Sequence, residues 1–425
     1  MKKRVVQMCC VMTATMLAMG GAAVVSAEEA PKPGVTVAAD EQSPTGYTAT
    51  FVYEAPDAQK VELTGAFAFY WEDETVRGRT PDTYYTPYEW ENGMFEAGDE
   101  AVTFEMEKIE GTDLWTISMP LPSGHYQYVF HVDGNEEKLE DPTNPREEAN
   151  VQSGNRYGRS TIYVPYDAEK QSKSMDFSYM APREDGKSGT VTYVNYADCN
   201  EEIRPLGIYL PYGYDENREE PYKVLYLSHG GTGNEVDWFA GGSVDYIFDN
   251  MIAEGTTEPV VLVTMDNTAY RSLESDAIWH FDTIIRNLTE AVMPFVEEHY
   301  NVATDSANRA YAGLSMGGLT TSNVLCQCPE VFDYFGIFSG ADGALNLEDY
   351  DIEALKRPSI MVGAGIYDFT YNHTGEGEDT VSVEGLMRKF DEAGISYGWE
   401  EAYGEHDWNV WPQLIKVFAE EYLWK

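Results

Sequence analysis

The chain has 425 residues, 43% of them hydrophobic, which is enough for two or three domains with full cores. Its 73 Asp and Glu residues against 28 Lys and Arg give a formal net charge of -45. Such an excess of carboxylates argues against nucleic acid and anionic membranes as partners, and it leaves neutral polymers or neutral esters as easier ones.

Residues 1–27 have the pattern of a secretory signal peptide. Three basic residues, from Lys2 to Arg4, precede a mostly apolar run from Val5 to Val25, and small residues end that run before Glu28. An uncleaved membrane anchor is the alternative. Cleavage would remove three positive charges and change the formal charge from -45 to -48. The sequence therefore predicts a secreted, extracellular protein without a membrane partner after cleavage.

Residues 28–46 contain several Pro and acidic residues without a hydrophobic period, so we expect a linker there. Residues 47–165 then show short alternating segments separated by turn signals, which predict a β-sandwich. The predicted strands are Thr48–Tyr53, Lys60–Gly65, Ala101–Met106, Leu114–Met119, His125–Val132 and Ser160–Val164.

Three stretches of this region, VELTGAFAFYW, LWTISMPLPSGHYQYVFHVDG and DPTNP, resemble the family 48 carbohydrate-binding module and its immunoglobulin-like relatives. The resemblance covers Tyr47 to about Pro165. The matching positions are Gly65, Phe67, Trp71, Trp115, Pro122, Gly124, Tyr126, Asp133, Gly134, Asp141 and Pro142. It implies an immunoglobulin-like β-sandwich.

The segment from Glu72 to Ala101 departs from that family pattern and is rich in aromatic residues. These aromatic residues are Tyr84, Tyr85, Tyr88, Trp90 and Phe95. Exposed aromatic rings can stack on the apolar face of a sugar, so the segment is a candidate glycan contact or a lid over a neighbouring site. The alternative is that the rings pack against the next domain.

Residues 166–175 are polar and irregular and predict a second linker. From residue 176 to residue 425, strands alternate with helices, which predicts a parallel sheet covered on both faces and an α/β-hydrolase arrangement. The predicted strands are Pro205–Leu210, Lys223–Ser228, Val260–Met265, Ala310–Leu314, Gly336–Ser339, Ser359–Gly363 and Tyr397–Ala402. The predicted helices are Phe281–Tyr300, Val383–Ala393 and Asn409–Leu423.

The stretch RAYAGLSMGG contains Ser315 inside a Gly-x-Ser-x-Gly motif at the end of a predicted strand. A strand-to-helix turn this tight needs glycine on either side and exposes the serine hydroxyl as a nucleophile. In an α/β-hydrolase the acid and the histidine follow in that order, each after a strand. His406 and Asp368 meet this requirement. His373 is the alternative base, and Asp342 is the alternative acid.

The oxyanion of an ester hydrolase needs two backbone N–H donors. Met316 directly follows the nucleophile and is one candidate. The loop Ser228 to Gly233 follows a strand, and its Gly231 is the first candidate for the other donor, with Gly230 as the second. We interpret His229 in this loop as a structural hydrogen-bonding residue. Cleavage of the signal peptide would leave three cysteines, Cys199, Cys326 and Cys328, and this small odd number argues against a disulfide framework. No Cys or His cluster near Cys326 and Cys328 suggests a zinc site, so we interpret the three as buried or incidental thiols.

The motifs YLSHGGTGNEVDWF, YAGLSMGGLTT and GEHDWNVW resemble the esterase domain of carbohydrate esterase family 1, over roughly Asp176 to Lys425. This group contains feruloyl and acetylxylan esterases and is related to enterochelin esterases and mycolyltransferases. The resemblance implies Ser315, Asp368 and His406 as the triad, with oxyanion donors in the Gly-Gly loop and at Met316. It also implies that Trp238 and Trp408 lie around the substrate pocket.

These patterns predict a serine esterase that removes feruloyl or acetyl groups from plant cell-wall xylan or its oligosaccharides. We expect it to need no metal or organic cofactor. Two alternatives stay open. One is a siderophore-type or small-acyl esterase, or an acyltransferase, of the same fold. The other is a glycan-binding protein with an inactive esterase domain.

Overall fold

The computed structural model describes residues 31–71, 83–97, 101–135, 137–144, 160–231, 233–270, 279–371 and 382–425. The predicted signal peptide lies outside these residues, as does His373. Within the described residues, no helix is long and apolar enough to cross a bilayer.

The amino-terminal unit consists of two four-stranded antiparallel sheets and a separate two-stranded ribbon. Its strands are β1 Gly34–Ala39, β2 Tyr47–Glu54, β3 Val61–Gly65, β4 Phe69–Trp71, β5 Met94–Glu96, β6 Val102–Glu105, β7 Glu107–Lys108, β8 Leu114–Pro120, β9 Gly124–Val132 and β10 Ser160–Val164. One sheet has the order β1-β2-β8-β7 and the other β10-β9-β3-β6. Alternate residues of β3 and β10 are buried, which produces the apolar inner face that a sandwich requires. The predicted β-sandwich is confirmed.

Both predicted linkers need correction. Gly34–Ala39 forms β1 and pairs with β2 from Gly34 opposite Val52 to Ala39 opposite Tyr47. Val35 and Val37 pack against the sandwich core, and this short alternation is hidden by the surrounding Pro and acidic residues. In the second linker, the buried Gln171 side chain accepts from the Ser123 N–H at 3.0 Å. These segments are therefore structural parts of the unit.

The carboxy-terminal unit is built on an eight-stranded mixed sheet. Its strands are β11 Thr190–Ala197, β12 Ile203–Leu210, β13 Lys223–Ser228, β14 Val260–Met265, β15 Arg309–Leu314, β16 Tyr334–Phe338, β17 Ser359–Gly365 and β18 Gly398–Ala402. The order is β11-β12-β14-β13-β15-β16-β17-β18. From β14 to β18 all pairs are parallel, whereas β12 is antiparallel to both of its neighbours.

Helices cover both faces of this sheet. They are α1 Asp237–Ala240, α2 Val244–Glu254, α3 Phe281–Asn287, α4 Met293–His299, α5 Met316–Gln327, α6 Ile352–Leu355, α7 Val383–Ala393 and α8 Val410–Val417. A π-helical turn, Leu288–Val292, joins α3 to α4, and another, Phe418–Tyr422, extends α8. Short 3-10 turns occur at Pro87–Glu89, Lys173–Met175, Ser178–Met180, Thr268–Tyr270, Ser306–Asn308 and Leu347–Asp349.

Alternate residues of the apolar strands point to opposite faces of the sheet. In β13, Leu225 and Leu227 pack in one cluster with residues of α2 and α8, whereas Val224 and Tyr226 pack in a second cluster with α5 and α7. This arrangement confirms the predicted α/β-hydrolase fold. The first cluster also includes the sandwich core, so the buried apolar interior is continuous between the two units.

Candidate active site

Ser315 lies at a sharp turn between β15 and α5. Its backbone has φ 53° and ψ -120°, a conformation that residues other than glycine rarely adopt. A Cβ atom at Gly313 would lie 2.4 Å from the Gly317 carbonyl oxygen, and one at Gly317 would lie 2.3 Å from the Ser228 carbonyl oxygen. Both glycines are therefore required by close backbone contacts, as the motif predicts.

The structure brings the three predicted triad residues into one hydrogen-bonded chain. The Ser315 Oγ is 2.8 Å from His406 Nε2. The other ring nitrogen, Nδ1, is 3.1 Å and 3.2 Å from the two carboxylate oxygens of Asp368. In the tautomer that satisfies both contacts, Nδ1–H donates to Asp368 and Nε2 accepts the serine hydroxyl proton. This geometry can activate the serine as a nucleophile.

Asp368 is fully buried and remains ionised because several donors compensate for its burial. Burial alone would raise the pKa of this carboxyl, but hydrogen bonds from His406 and Thr370, together with the charge of His406, lower it below the usual value. The Thr370 N–H and hydroxyl donate to the same carboxylate oxygen at 2.8 Å and 2.7 Å. The carboxylate is thus fixed in position opposite the imidazole.

The acid and the histidine occupy loops after two adjacent parallel strands. Asp368 follows β17 and His406 follows β18. The loops are tied together because the Ile366 N–H donates to the Ala402 carbonyl and the Tyr367 N–H to the Gly404 carbonyl, both at 3.0 Å. The alternative acid, Asp342, instead accepts from the Asn323 side chain on α5 at 2.8 Å. The structure therefore favours Asp368 over Asp342.

The two candidate oxyanion donors, Gly231 and Met316, lie close to each other near Ser315. A Cβ at Gly231 would lie 3.3 Å from Met316 Cγ, and one at Gly230 would lie 3.4 Å from Ser315 Cβ. Met316 begins α5, where the first backbone N–H groups have no acceptor within the helix. The glycine loop and the start of α5 can therefore present N–H groups beside Ser315.

His229 contacts the backbone of the glycine loop through one of its ring nitrogens. It is buried, its Nδ1 is 2.7 Å from the Gly230 carbonyl, and its Nε2 accepts from the Asn267 N–H at 2.9 Å. Burial lowers the pKa of His229 in spite of the opposing effect of the nearby Asp266, so the ring is a neutral donor and acceptor. This position fits the structural interpretation of His229.

The predicted substrate contact is wrong for Trp238. Its side chain has no exposed surface, and its Nε1 donates to the Ser228 carbonyl at 3.1 Å. The short helix α1 directs this ring into the core, where it meets Trp408 edge-on with centroids 5.6 Å apart. Trp408 is half-buried and packs closely over Gly241 and Gly242. Residue type and motif position cannot show which way an aromatic side chain points.

Phe369 is an aromatic neighbour of the predicted triad, and the sequence interpretation missed it. Its ring is 51% exposed and its centroid lies 4.5 Å from that of His406. Its position directly after Asp368 is the sequence feature that could have indicated it.

Most of the aromatic residues described between Glu72 and Ala101 pack inward, and the ring of Phe95 stacks on that of Tyr367 with centroids 5.4 Å apart. For Phe95, the packing alternative is therefore correct.

Within the described parts of the chain, no group of three or more His, Cys, Asp or Glu residues is arranged to hold a metal ion. Cys326 and Cys328 are buried, and burial raises the pKa of both thiols to about 12, so they are poor nucleophiles at neutral pH.

The Esterase family model matches residues 199–420, which is more than half of the chain. Among curated proteins, the "Endo-1,4-beta-xylanase/feruloyl esterase" of Xylanibacter ruminicola is 29% identical over 262 residues, which make up 59% of this chain and 33% of that protein. "Endo-1,4-beta-xylanase Y" of Acetivibrio thermocellus is 31% identical over 186 residues, or 41% of this chain and 16% of that protein. This chain thus spans a third or less of the length of these two relatives.

Two solved structures share the fold. A CE1 ferulic acid esterase from Anaeromyces mucronatus has a TM-score of 0.50 and 23% identity, and the match covers 58% of this chain and 95% of that chain. The enterobactin esterase of Shigella flexneri also has a TM-score of 0.50, with 14% identity, and the match covers 92% of this chain and 96% of that chain. The second likeness extends over the amino-terminal unit as well.

Proposed function

Because the chain belongs to the Esterase family, we propose that it is a serine carboxylester hydrolase that removes feruloyl or acetyl groups from xylan. The observation that carries the proposal is the hydrogen-bonded chain from Ser315 Oγ through His406 to Asp368, with the nearer contact at 2.8 Å. The glycine loop beside Ser315 gives further support. The names of the two curated relatives support a xylan-linked substrate.

In the proposed mechanism, Ser315 Oγ attacks the ester carbonyl as His406 Nε2 takes its proton. The N–H groups of Gly231 and Met316 stabilise the oxyanion of the tetrahedral intermediate. His406 then gives the proton to the departing sugar alcohol, which leaves Ser315 acylated. A water molecule then attacks the acyl-enzyme as His406 Nε2 takes its proton; the bond to Ser315 Oγ breaks, Oγ receives the proton back from His406, and the free acid is released. Asp368 keeps the imidazole in the required tautomer and stabilises its positive charge.

We expect Phe369 to contact the acyl group or the sugar, because its exposed ring lies beside His406. An aromatic acyl group could stack on this ring. The amino-terminal unit is proposed to be a module like those of carbohydrate-binding family 48. Residues 1–27 are proposed to direct export and to be removed, which sequencing the amino terminus of the exported protein would test.

The test is the release of ferulate and of acetate, measured side by side, from feruloylated and acetylated arabinoxylan. Ferulate release indicates an aromatic acyl pocket, and acetate release alone indicates a small one. We expect Ser315→Ala to lower turnover by at least about 10⁴-fold while the protein stays folded. Full turnover by Ser315→Ala would rule out the mechanism.

If the mature protein releases neither acid, a siderophore-type trilactone and a sugar acyl acceptor are the next substrates to assay. Labelling with a serine-directed phosphonate distinguishes an active esterase or acyltransferase from a glycan-binding protein with an inactive esterase domain. Labelling of the wild type but not of Ser315→Ala indicates an active serine hydrolase. Failure to label the wild type supports the glycan-binding alternative.

A further inference from the structure

We infer that the β4–β5 ribbon of the amino-terminal unit is a positioning element for the triad, because it holds the two loops that carry Asp368 and His406. The inference rests on the proposed function, in which these residues act with Ser315. The ribbon consists of Phe69–Trp71 paired with Met94–Glu96 and belongs to neither sheet of the sandwich. Three contacts carry the argument.

The first contact is made by Tyr367, the residue directly before the acid. Its hydroxyl donates to the Trp71 carbonyl of β4 at 2.8 Å. Its ring lies parallel to that of Phe95 on β5, with centroids 5.4 Å apart, and meets Tyr70 edge-on at 6.4 Å. The ring is almost completely buried. Both strands of the ribbon therefore hold Tyr367 in place. They also hold the backbone that leads into Asp368.

The second and third contacts reach the histidine loop. Phe95 also packs against Tyr403, three residues before His406, with centroids 6.3 Å apart. Asn409, three residues after His406, donates from its side-chain amide to the Glu96 carbonyl at 3.0 Å. The ribbon thus contacts the chain on both sides of His406. Each loop is held by the other loop and also by the amino-terminal unit.

Two buried carboxyl groups, those of Glu96 and Asp407, lie near each other at this interface. Glu96 is 4% exposed and Asp407 is 3% exposed. Burial raises the pKa of Glu96 well above its usual range, and the negative charge of Asp407 adds to this effect. Asp407 accepts from the N–H groups of Asn409 and Val410 at the start of α8, at 2.8 Å and 3.3 Å. A neutral Glu96 beside a hydrogen-bonded Asp407 avoids two adjacent buried charges.

Catalysis is sensitive to small displacements of Ser315, His406 and Asp368, because a proton transfer requires hydrogen-bonding distance between the partners. A shift of about 1 Å from a change outside the reacting groups can cost about 10²-fold in rate. Loss of a ribbon contact should therefore lower kcat more than it changes KM.

Tyr367→Phe tests the inference with the smallest change, since it keeps the stacked ring and removes only the hydroxyl that binds the Trp71 carbonyl. With p-nitrophenyl acetate as substrate, we expect kcat to fall about 3- to 10-fold and KM to stay within about twofold of wild type. The rate at which a fluorophosphonate labels Ser315 should fall by a similar factor. Phe95→Leu removes the ring contacts to both loops and should lower kcat further.

Tyr166→Phe is the matched control. It removes another tyrosine hydroxyl that donates to a backbone carbonyl, that of Gln171 at 3.2 Å. We expect its kcat to equal that of wild type. If Tyr367→Phe and Phe95→Leu keep wild-type kcat, or if kcat falls as much in Tyr166→Phe as in Tyr367→Phe, the inference is overturned.

The Ser315→Ala variant, assayed in parallel, distinguishes failure of the ribbon inference from failure of the proposed function. Activity in that variant overturns both, whereas an inactive Ser315→Ala beside a fully active Tyr367→Phe overturns the ribbon inference alone.

Discussion

Glu235 is a carboxyl group buried beside the glycine loop, outside the proposed triad. It is 1% exposed, and its Oε1 has no hydrogen-bond partner among the described residues. Burial raises the pKa of Glu235 to about 7, with smaller contributions from Asp266 and Asp237. The folded protein therefore keeps this proton at pH values where the unfolded chain has already lost it.

This difference predicts a pH-dependent cost in stability. Below pH 4.5, the usual pKa of the group, both states hold the proton and there is no penalty. Between pH 4.5 and about 7 the unfolded chain ionises while the folded protein keeps the proton, so stability falls progressively, and about 3 kcal/mol has been lost once the pH passes the folded-state pKa. Glu235→Gln should escape this loss. Urea unfolding at pH 4 and pH 8 would measure it, and an equal difference between the two proteins at both pH values would contradict the prediction.

Residue type and chain order were sufficient to select the three residues that the structure joins by hydrogen bonds. Only His373 and His406 follow Ser315 in the sequence, and Asp368 follows the preceding strand, so few alternatives existed. Sequence was insufficient for Trp238, because the direction of a side chain depends on tertiary packing around a helix of only four residues. The catalytic roles themselves stay predictions.

At the scale of elements, the contact of α5 with β13 controls the geometry around Ser315. Gly317→Ala would place a Cβ 2.3 Å from the Ser228 carbonyl oxygen and 2.8 Å from that of His229. We expect α5 to move away from the glycine loop, with about 1–3 kcal/mol lost in stability and a large fall in kcat. Thermal unfolding and ester turnover measured together would show both effects.

Gly213→Ala provides the contrast for this prediction. Its φ of 74° makes any side chain strained, but a Cβ there would meet no atom within 4 Å. We expect a stability loss of about 1–2 kcal/mol with unchanged kcat. Wild-type turnover by Gly317→Ala would show that the close approach of α5 and β13 is not needed for the reaction.

Most elements of the esterase unit could be predicted because continuous apolar runs define buried parallel strands. The bounds of β13, β14 and α7 are those predicted. The strand β11 was missed because it lies at the edge of the sheet and has few buried positions. The ribbon was also missed, because its strands have three residues each, which is too short to show a period.

At the scale of the whole molecule, one apolar cluster connects the sandwich core with one face of the esterase sheet. The hydrogen bonds from Tyr367 to Trp71 and from Asn409 to Glu96 cross the same boundary. We therefore expect the two units to unfold in a single cooperative transition. Differential scanning calorimetry would test this, and two separate heat-absorption peaks would contradict it.

The ribbon contacts also limit which other modules could replace the β-sandwich next to this esterase unit. A β-sandwich joined only by a flexible tether could be replaced by another binding module without harm to the enzyme. Here a replacement module would have to present a carbonyl opposite the Tyr367 hydroxyl, a flat ring opposite the Tyr367 ring and a second carbonyl opposite Asn409. The two units are therefore expected to be inherited and engineered as a pair, with substitutions on one side of the boundary matched by substitutions on the other.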